Sequence, residues 1–354
     1  MYDLIVIGGG PAGTAAAITA ARGGARVLLL ERGRFPRHKV CGEFVSAESL
    51  GLLASLLAPG NSTLLQDAPR ISAGRIFLDG RQLATAITPS AASIPRYDLD
   101  LALWQSAEAC GAETRQQVAV QGVSGSGPFR LATSYGDFEA KMLINASGRW
   151  SNLTQAASPG RAKWLGLKAH FSESGPPPSV DLYFFPGGYC GVQPLSDAAV
   201  NACAMVRADK TSSLPEVFRL QPELWERTRG WKPLTEPVTT SPLIFRKPEA
   251  ERDGALLAGD AAAFVDPFVG DGISLALRTG SLAAECVISF LGGTPWQDAR
   301  TRYRREYEAR FGRIFRASSQ LRRVLLLPRG LRRSLLFLLK RSPALTQRLV
   351  NTTR

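Results

Sequence analysis

A chain of 354 residues, 45% hydrophobic and 21% charged, is long enough for two cores or for one large α/β unit carrying an insertion. Its formal charge of +13 belongs to its end: residues 300–354 hold 16 Lys or Arg against Glu306 and Glu308, a surplus of 14, so residues 1–299 sum to −1. A nucleic-acid protein would interleave such charge with aromatic or recognition elements, whereas here Leu and Phe do the interleaving, and no nucleic-acid partner is expected.

Met1 leads directly into a strand pattern, and no uninterrupted apolar stretch of about 18 residues is present, so the cytoplasm is the expected compartment. Five scattered cysteines without a Cys-x-x-Cys pair fit reduced thiols. With His38 and His170 as the only histidines, no metal site is expected.

The apolar run Leu4-Ile5-Val6-Ile7 meets Gly8, Gly10 and Gly13 in G-x-G-x-x-G spacing, and an alanine-rich stretch follows to Arg22. The order reads as strand, tight turn and helix. Gly8 permits the turn, Gly10 lets the backbone approach a pyrophosphate, and Gly13 lets the helix pack close to the strand, with Pro11 and Ala12 between them. A second apolar run, Val27 to Leu30, ends at Glu31, eighteen positions after Gly13, where a carboxylate can accept both ribose hydroxyls.

The loop from Arg32 to Ser46 is rich in cations, Gly and Pro, a composition that carries function more often than structure. Within it, Cys41 before Gly42 either holds a thiol against a planar cofactor or packs as a small hydrophobe. A helix is predicted from Ala47 to Leu57, and a hairpin turning at Asp79-Gly80 over residues 70–88. Ser93-Ile94-Pro95-Arg96 opens another helix, whose Arg96 either reaches the phosphates or ring edge of a bound cofactor or is solvated. A further hairpin turns at Gly136-Asp137, and the strand Met142-Leu143-Ile144 runs into Asn145 to Ser151, where small residues including Gly148 suggest a second close approach to a ligand.

From Lys163 to Arg246 the pattern changes to short strands, Leu165 to Phe171, Val180 to Phe185, Gly191 to Pro194 and Val200 to Val206, with a helix near Leu214 to Arg227. In this inserted sheet, Tyr183, Phe184, Phe185, Pro186, Gly187, Gly188 and Tyr189 read either as a pocket wall for a flat or greasy substrate or as core. The buried-strand run Ala255 to Ala258 then ends in Gly259-Asp260-Ala261-Ala262, followed by Asp266-Pro267 and by Gly270-Asp271-Gly272-Ile273 at the head of a long helix.

Together the fingerprint Gly8 to Gly13, Arg96-x-x-Leu99-Asp100, Asn145 to Ser151 and Gly259-Asp260 through Ile273 resemble the FAD-dependent oxidoreductases of the glutathione-reductase-like, para-hydroxybenzoate-hydroxylase-type superfamily. The resemblance implies bound FAD. Asp260 would accept from a ribityl hydroxyl, and amides near Gly272 would stabilise charge at the flavin N1–C2=O edge. Pro36-x-x-Lys39-x-Cys41-Gly42-x-x-x-Ser46 and Tyr183-Phe184-Phe185-Pro186 with Gly187, Gly188 and Gly191 resemble the geranylgeranyl reductases, whose reduced flavin gives hydride to prenyl double bonds. Tyr183 stands where that family usually has Trp, and Asp181 where it has Tyr. Among neighbouring families, aromatic hydroxylases usually carry Asp-Gly where Ser147-Gly148 stands. Halogenases share Ala146-Ser147-Gly148, but their Trp-x-Trp-x-Ile-Pro motif is absent and Lys39 is a weak candidate for their lysine.

The expected architecture is α/β: a Rossmann-like, three-layer FAD-binding domain of glutathione-reductase type (residues 1–162 and 247–295), an inserted β-rich substrate domain (163–246) and a basic helical C-terminal segment (296–354). The expected chemistry is hydride transfer to a lipophilic prenyl-like or polyketide-like substrate, with NAD(P)H or a flavin-reducing partner as reductant and Cys41 and Tyr183 as the catalytic side chains. A hydroxylase or halogenase acting on an aromatic or polyketide substrate, an electron-transfer flavoprotein, and an FAD-binding pseudo-enzyme are the alternatives. In the tail, leucine clusters between paired arginines fit either an interfacial helix on the inner face of the membrane or a cap that buries its leucines on the flavin domain.

Overall fold

Strand β1 (Tyr2–Ile7) is apolar on both faces, as a central parallel strand must be, and α1 (Pro11–Arg22) starts with Pro11 in its first turn, where a missing N–H costs nothing. The computed structural model describes residues 1–149, 163–240, 243, 247–264, 270–325 and 327–342. After α1 come β2 (Val27–Glu31), β3 (Phe44–Val45), α2 (Ala47–Leu56), the short α3 (Thr63–Gln66), and the hairpin β4 (Arg70–Leu78) and β5 (Arg81–Ser93). Helix α4 (Arg96–Ala109), β6 (Glu113–Gln116), β7 (Val120–Ser124), β8 (Phe129–Thr133) and β9 (Gly136–Asn145) follow. The second half runs through β10 (Trp164–Ser172), β11 (Ser179–Phe185), β12 (Gly188–Ser196), β13 (Ala199–Arg207), α5 (Leu214–Arg219), α6 (Pro222–Thr228) and β14 (Val238–Thr240). It closes with β15 (Glu251–Arg252), β16 (Ala255–Leu257), α7 (Gly272–Leu291), α8 (Trp296–Leu325) and α9 (Arg329–Arg341).

These strands form two sheets. In the first, the order β15-β16-β9-β1-β2-β6 is parallel from β16 to β6, and β7 and β8 continue antiparallel from β9. Alternation along the central strands separates two apolar layers. Leu4, Val6 and Leu29 pack on α1, α4 and α7, while Ile5, Ile7 and Leu28 pack under β7 and β8 with Val120, Phe129 and Leu131. This is the three-layer architecture of FAD-binding folds of glutathione-reductase type. Helices α1 and α7 approach so closely that a Cβ on Gly280 would lie 2.0 Å from the carbonyl oxygen of Ala12.

The second sheet has the order β14-β10-β13-β12-β11-β4-β5-β3. It redraws the domain boundaries expected from sequence. Strands β3 to β5, assigned there to the cofactor domain, extend the inserted sheet, because β4 pairs in parallel with β11 from Ser179↔Ala73 to Tyr183↔Phe77. The helix expected over Leu214 to Arg227 is two helices, since Pro222 cannot continue α5; the Gln221 side chain instead caps α6 by accepting from the Leu224 N–H.

The basic tail is part of the first core. Tyr303, Tyr307, Phe311 and Ile314 of α8 are buried there, and the Tyr303 hydroxyl donates to the Leu257 carbonyl at 2.6 Å. Burying side chains of this size contributes about 1.5–3 kcal/mol each, so these α8 residues tie the tail to the first core. Helix α9 is held on the β4–β5 turn by Asp79, which pairs with Arg329 and Arg332 and whose carbonyl accepts from Arg333. Among the described residues one helix, α7, is long and apolar enough to cross a membrane, and it is two-thirds buried inside the fold.

Candidate functional site

A cavity of about 900 Å³ runs from the glycine turn after β1 to the inner face of the second sheet, at the upper end of the ordinary range for ligand pockets. Its first part is built by the fingerprint. Gly8 turns the chain at φ +103°, and a Cβ on Gly13 would sit 1.7 Å from the Gly8 carbonyl, so α1 can start here only with glycine at both places. The amides at the start of α1 face the cavity beside Gly10, Pro11 and Ala12.

Two cations stand over this turn. A Cβ on Gly10 would find Arg96 Nη2 at 3.8 Å and Lys39 Nζ at 3.9 Å. Both are fixed by Asp100, which accepts from Arg96 at 2.7 and 2.8 Å and pairs with Lys39 at 2.9 Å. Burial opposes ionisation of Asp100, but the adjacent Arg96 and Lys39 outweigh it and hold the carboxyl below its ordinary range. Two cations against one carboxylate leave a net positive charge at the helix start, which suits a pyrophosphate.

Glu31, at the end of β2, accepts from the Gly9 N–H at 2.9 Å, the Gly33 N–H at 2.8 Å and Arg37 at 2.7 Å. These bonds fix the carboxylate at the cavity wall beside Arg32, and its remaining lone pairs can take ribose hydroxyls. At the other end, Cys41, Gly42, Gly148, Gly259, Asp260, Gly270, Gly272 and Ile273 line the same cavity. A Cβ on Gly42, Gly148 or Gly272 would meet no atom of the described residues within 4 Å, which leaves space beside them for a ligand. Asp260 lies 3.4 Å from Arg149, and burial pushes its carboxyl up. This channel, cationic at the glycine turn and open beside small residues at the far end, fits an extended dinucleotide.

The Cys41-Gly42 segment is pinned from the second sheet, where Asn201 Nδ2 donates to both carbonyl oxygens at 3.0 Å. Burial pushes the Cys41 thiol up, so it is a neutral S–H and not a thiolate; its sulfur accepts from the Glu43 N–H at 3.3 Å. Beyond it the wall is apolar, formed by Tyr189, Met205, Leu243 and Phe264.

Tyr183 does not face this cavity, and this corrects its expected catalytic place. Along β11 the odd-numbered residues are buried in the core of the inserted domain; Tyr183 stacks on Phe77 at 4.4 Å and its hydroxyl accepts from Arg227 at 3.1 Å. Phe185 belongs to the same core, and Pro186, Gly187 and Gly188 form the β11–β12 turn and its edge away from the cavity. Of the five residues expected on the substrate side, Tyr189 alone lines it. Asp266 and Pro267, Trp150 and Ser151 lie outside the described residues.

One cluster escaped the sequence reading. Glu43 is fully buried with φ +62°, and its carboxylate accepts from Lys168 Nζ at 2.7 Å, meets His170 Nε2 at 2.9 Å and accepts from the Arg96 N–H at 2.9 Å. Burial opposes its charge, while His170 and Lys168 hold its carboxyl below the ordinary range. A signal was present in β10: Gly166, Lys168 and His170 alternate with Leu165, Leu167, Ala169 and Phe171, which places both polar side chains on one face.

Fold and cavity together define an FAD-binding oxidoreductase. A family profile described as FAD dependent oxidoreductase matches residues 3–36. The chain is 28% identical to a menaquinone reductase of Mycolicibacterium smegmatis, over 93% of this chain and 86% of the relative. It is 27% identical to a digeranylgeranylglycerophospholipid reductase of Methanosarcina acetivorans, over 80% and 74%. The solved structure of the flavin-dependent brominase Bmp2 shares the fold with a TM-score of 0.83 at 21% identity, over 99% of this chain and 93% of that one. The chain is thus similar to FAD-dependent oxidoreductases and, among them, to reductases of the geranylgeranyl type.

Proposed function

We propose that the protein reduces a carbon–carbon double bond of a prenyl-like or polyketide-like lipophilic substrate. FAD, when bound, supplies the hydride. Arg96, Lys39 and the α1 amides would hold its pyrophosphate, Glu31 a ribose, and Asp260 and the Gly270 to Ile273 turn its far end. The observation that carries the reading is the wall beyond the pinned Cys41-Gly42 loop, where Tyr189, Met205, Leu243 and Phe264 offer an apolar surface continuous with the dinucleotide channel. Such a surface excludes water and lays a greasy chain beside Cys41, whose neutral thiol can orient it. The similarity to menaquinone and digeranylgeranylglycerophospholipid reductases supports the same substrate class.

NAD(P)H or a partner reductase is the source of electrons in this reading, and the cytoplasm its compartment. In this reading α9 would meet the lipid: Leu331, Phe337 and Leu338 are exposed among its arginines, a composition suited to the surface of an anionic membrane. A second reading, oxygen-dependent hydroxylation or halogenation, is favoured by the fold shared with the brominase.

The test is anaerobic reduction of the yellow holoprotein, followed by separate mixing with geranylgeranyl lipid, menaquinone and air while flavin absorbance is read. Reoxidation without oxygen by the alkene, or by menaquinone with saturation of a prenyl double bond in the recovered lipid, supports the reductase, whereas reoxidation by menaquinone with its prenyl chain unchanged favours the electron-transfer flavoprotein. Inertness to both, with fast substrate-stimulated reoxidation in air, overturns it in favour of the oxygenase.

A further inference from the structure

We propose that His38 donates the proton that completes double-bond reduction and that Lys168, held by Glu43, recharges it. This rests on the reductase reading above. Hydride alone leaves one carbon of the former double bond short of a hydrogen, so the site needs an acid as well as a hydride source.

His38 is the cluster member that both lines the cavity and reaches outward. Its ring lies 4.8 Å from that of Tyr97, which is 37% exposed, and 5.2 Å from that of His170. Its Nδ1 is 3.5 Å from Lys168 Nζ, which is in turn bonded to Glu43. An ammonium facing Nδ1 makes that nitrogen the acceptor and leaves the imidazole proton on Nε2. The groups that face His38 are Lys168 and His170 from β10, Glu43 from its own loop, and Asp98 and Tyr97 from α4. Burial, Lys168 and His170 keep the ring neutral at physiological pH, against the weaker pull of Glu43 and Asp98.

Structure alone does not account for this cluster. Lys168 is 1% exposed and Glu43 fully buried, and a buried ion pair often stabilises no more than a hydrophobic replacement would. Glu43 also adopts a left-handed backbone unusual for a side chain of its size. Both features are of the kind retained at working sites.

In the step, the double bond opens as one carbon takes hydride from the reduced cofactor. The other carbon takes the Nε2 proton of His38. As that N–H bond breaks, Nδ1 takes a proton from Lys168, leaving a neutral amine that regains its proton from solvent through the Tyr97 and Asp98 side. Substrate gains two electrons and two hydrogens, and the cofactor is oxidised.

The test uses the full-length holoprotein. Because the chain has only two histidines, His38→Asn assigns both imidazole signals in an NMR titration. His38 should titrate below 6.5, and Lys168→Met should move its midpoint up; a midpoint at or above 6.5 that ignores Lys168→Met overturns the relay. With prereduced protein and geranylgeranyl lipid, His38→Asn should slow alkene-dependent reoxidation about 100-fold, leave flavin content unchanged, and recover partly with added imidazole. An unchanged rate in His38→Asn overturns the relay while the reductase reading stands. A wild-type protein inert to both geranylgeranyl lipid and menaquinone overturns that reading and the relay with it.

Discussion

Arg96 is bound to Asp100 by two hydrogen bonds across one turn of α4, and its guanidinium nitrogen lies 3.8 Å from where a side chain on Gly10 would begin. A buried carboxylate thus aims a buried cation at the start of another helix. Replacing Asp100 by Asn keeps the shape but removes the charge that holds Arg96 and Lys39 together. Loss of one partner of a buried pair costs about 3–5 kcal/mol. Asp100→Asn should therefore lower the melting temperature and weaken FAD binding at least tenfold, read by flavin release in equilibrium dialysis. Full flavin retention would show that the α1 amides hold the pyrophosphate without these cations.

Gly13 and Gly42 should respond oppositely to alanine. At Gly13 the added Cβ collides with the Gly8 carbonyl, which is backbone and cannot step aside, so Gly13→Ala should disrupt the β1–α1 turn and give little folded protein. At Gly42 the same atom meets nothing among the described residues. Gly42→Ala should leave apoprotein stability within about 0.5 kcal/mol of wild type, as surface-like substitutions do, while lowering FAD affinity or turnover. Denaturant unfolding of the apoprotein beside flavin titration separates the two effects.

What was legible in the sequence follows the range of the interactions. The glycine turn, Glu31 and Arg96 were visible because each requirement is met within one βαβ unit or one helix turn, and residue spacing encodes it directly. Glu43 was not, since Lys168 and His170 lie 125 and 127 positions away and only the packing of two sheets brings them together. Tyr183 was misplaced for a related reason. Tyr183, Phe184 and Phe185 are alike in composition, and which of them faces inward is set by the pairing of β11 with β4 and β12. The hairpin at Asp79-Gly80 was readable as a hairpin, but not as an extension of the inserted sheet 100 residues later, because a parallel pairing leaves no local turn signal.

That parity yields a direct contrast. Tyr183→Phe removes a hydroxyl that accepts from Arg227 inside the core of the second domain. A hydrogen bond to a charged group is worth about 1.5–3 kcal/mol, so the variant should unfold more easily yet reduce substrate at a rate within about twofold of wild type. Tyr189→Ala, which opens the cavity wall, should raise KM at least tenfold. A turnover defect in Tyr183→Phe at full folding would restore Tyr183 to the reaction.

Asp271 offers a pH signature. It stands at the N-cap position of α7 without a side-chain bond to the helix amides, its Oδ1 accepts from Ser46 at 3.0 Å, and its Oδ2 is buried with no hydrogen-bond partner among the described residues. Burial pushes its carboxyl up to about 6, against the opposing hydrogen bond from Ser46. Since the folded state binds this proton more tightly than the unfolded chain does, stability is intact below about pH 4, falls as pH rises from there to about 6, and stays reduced above. A shift from 3.8 to about 6 corresponds to about 3 kcal/mol. Asp271→Asn cannot ionise and keeps the acceptor for Ser46, so it should stabilise the protein by up to that amount at pH 7.5 and lose the advantage at pH 4. Urea unfolding of both proteins at the two pH values measures the difference. An equal effect at both would mean that Asp271 is already ionised at pH 4.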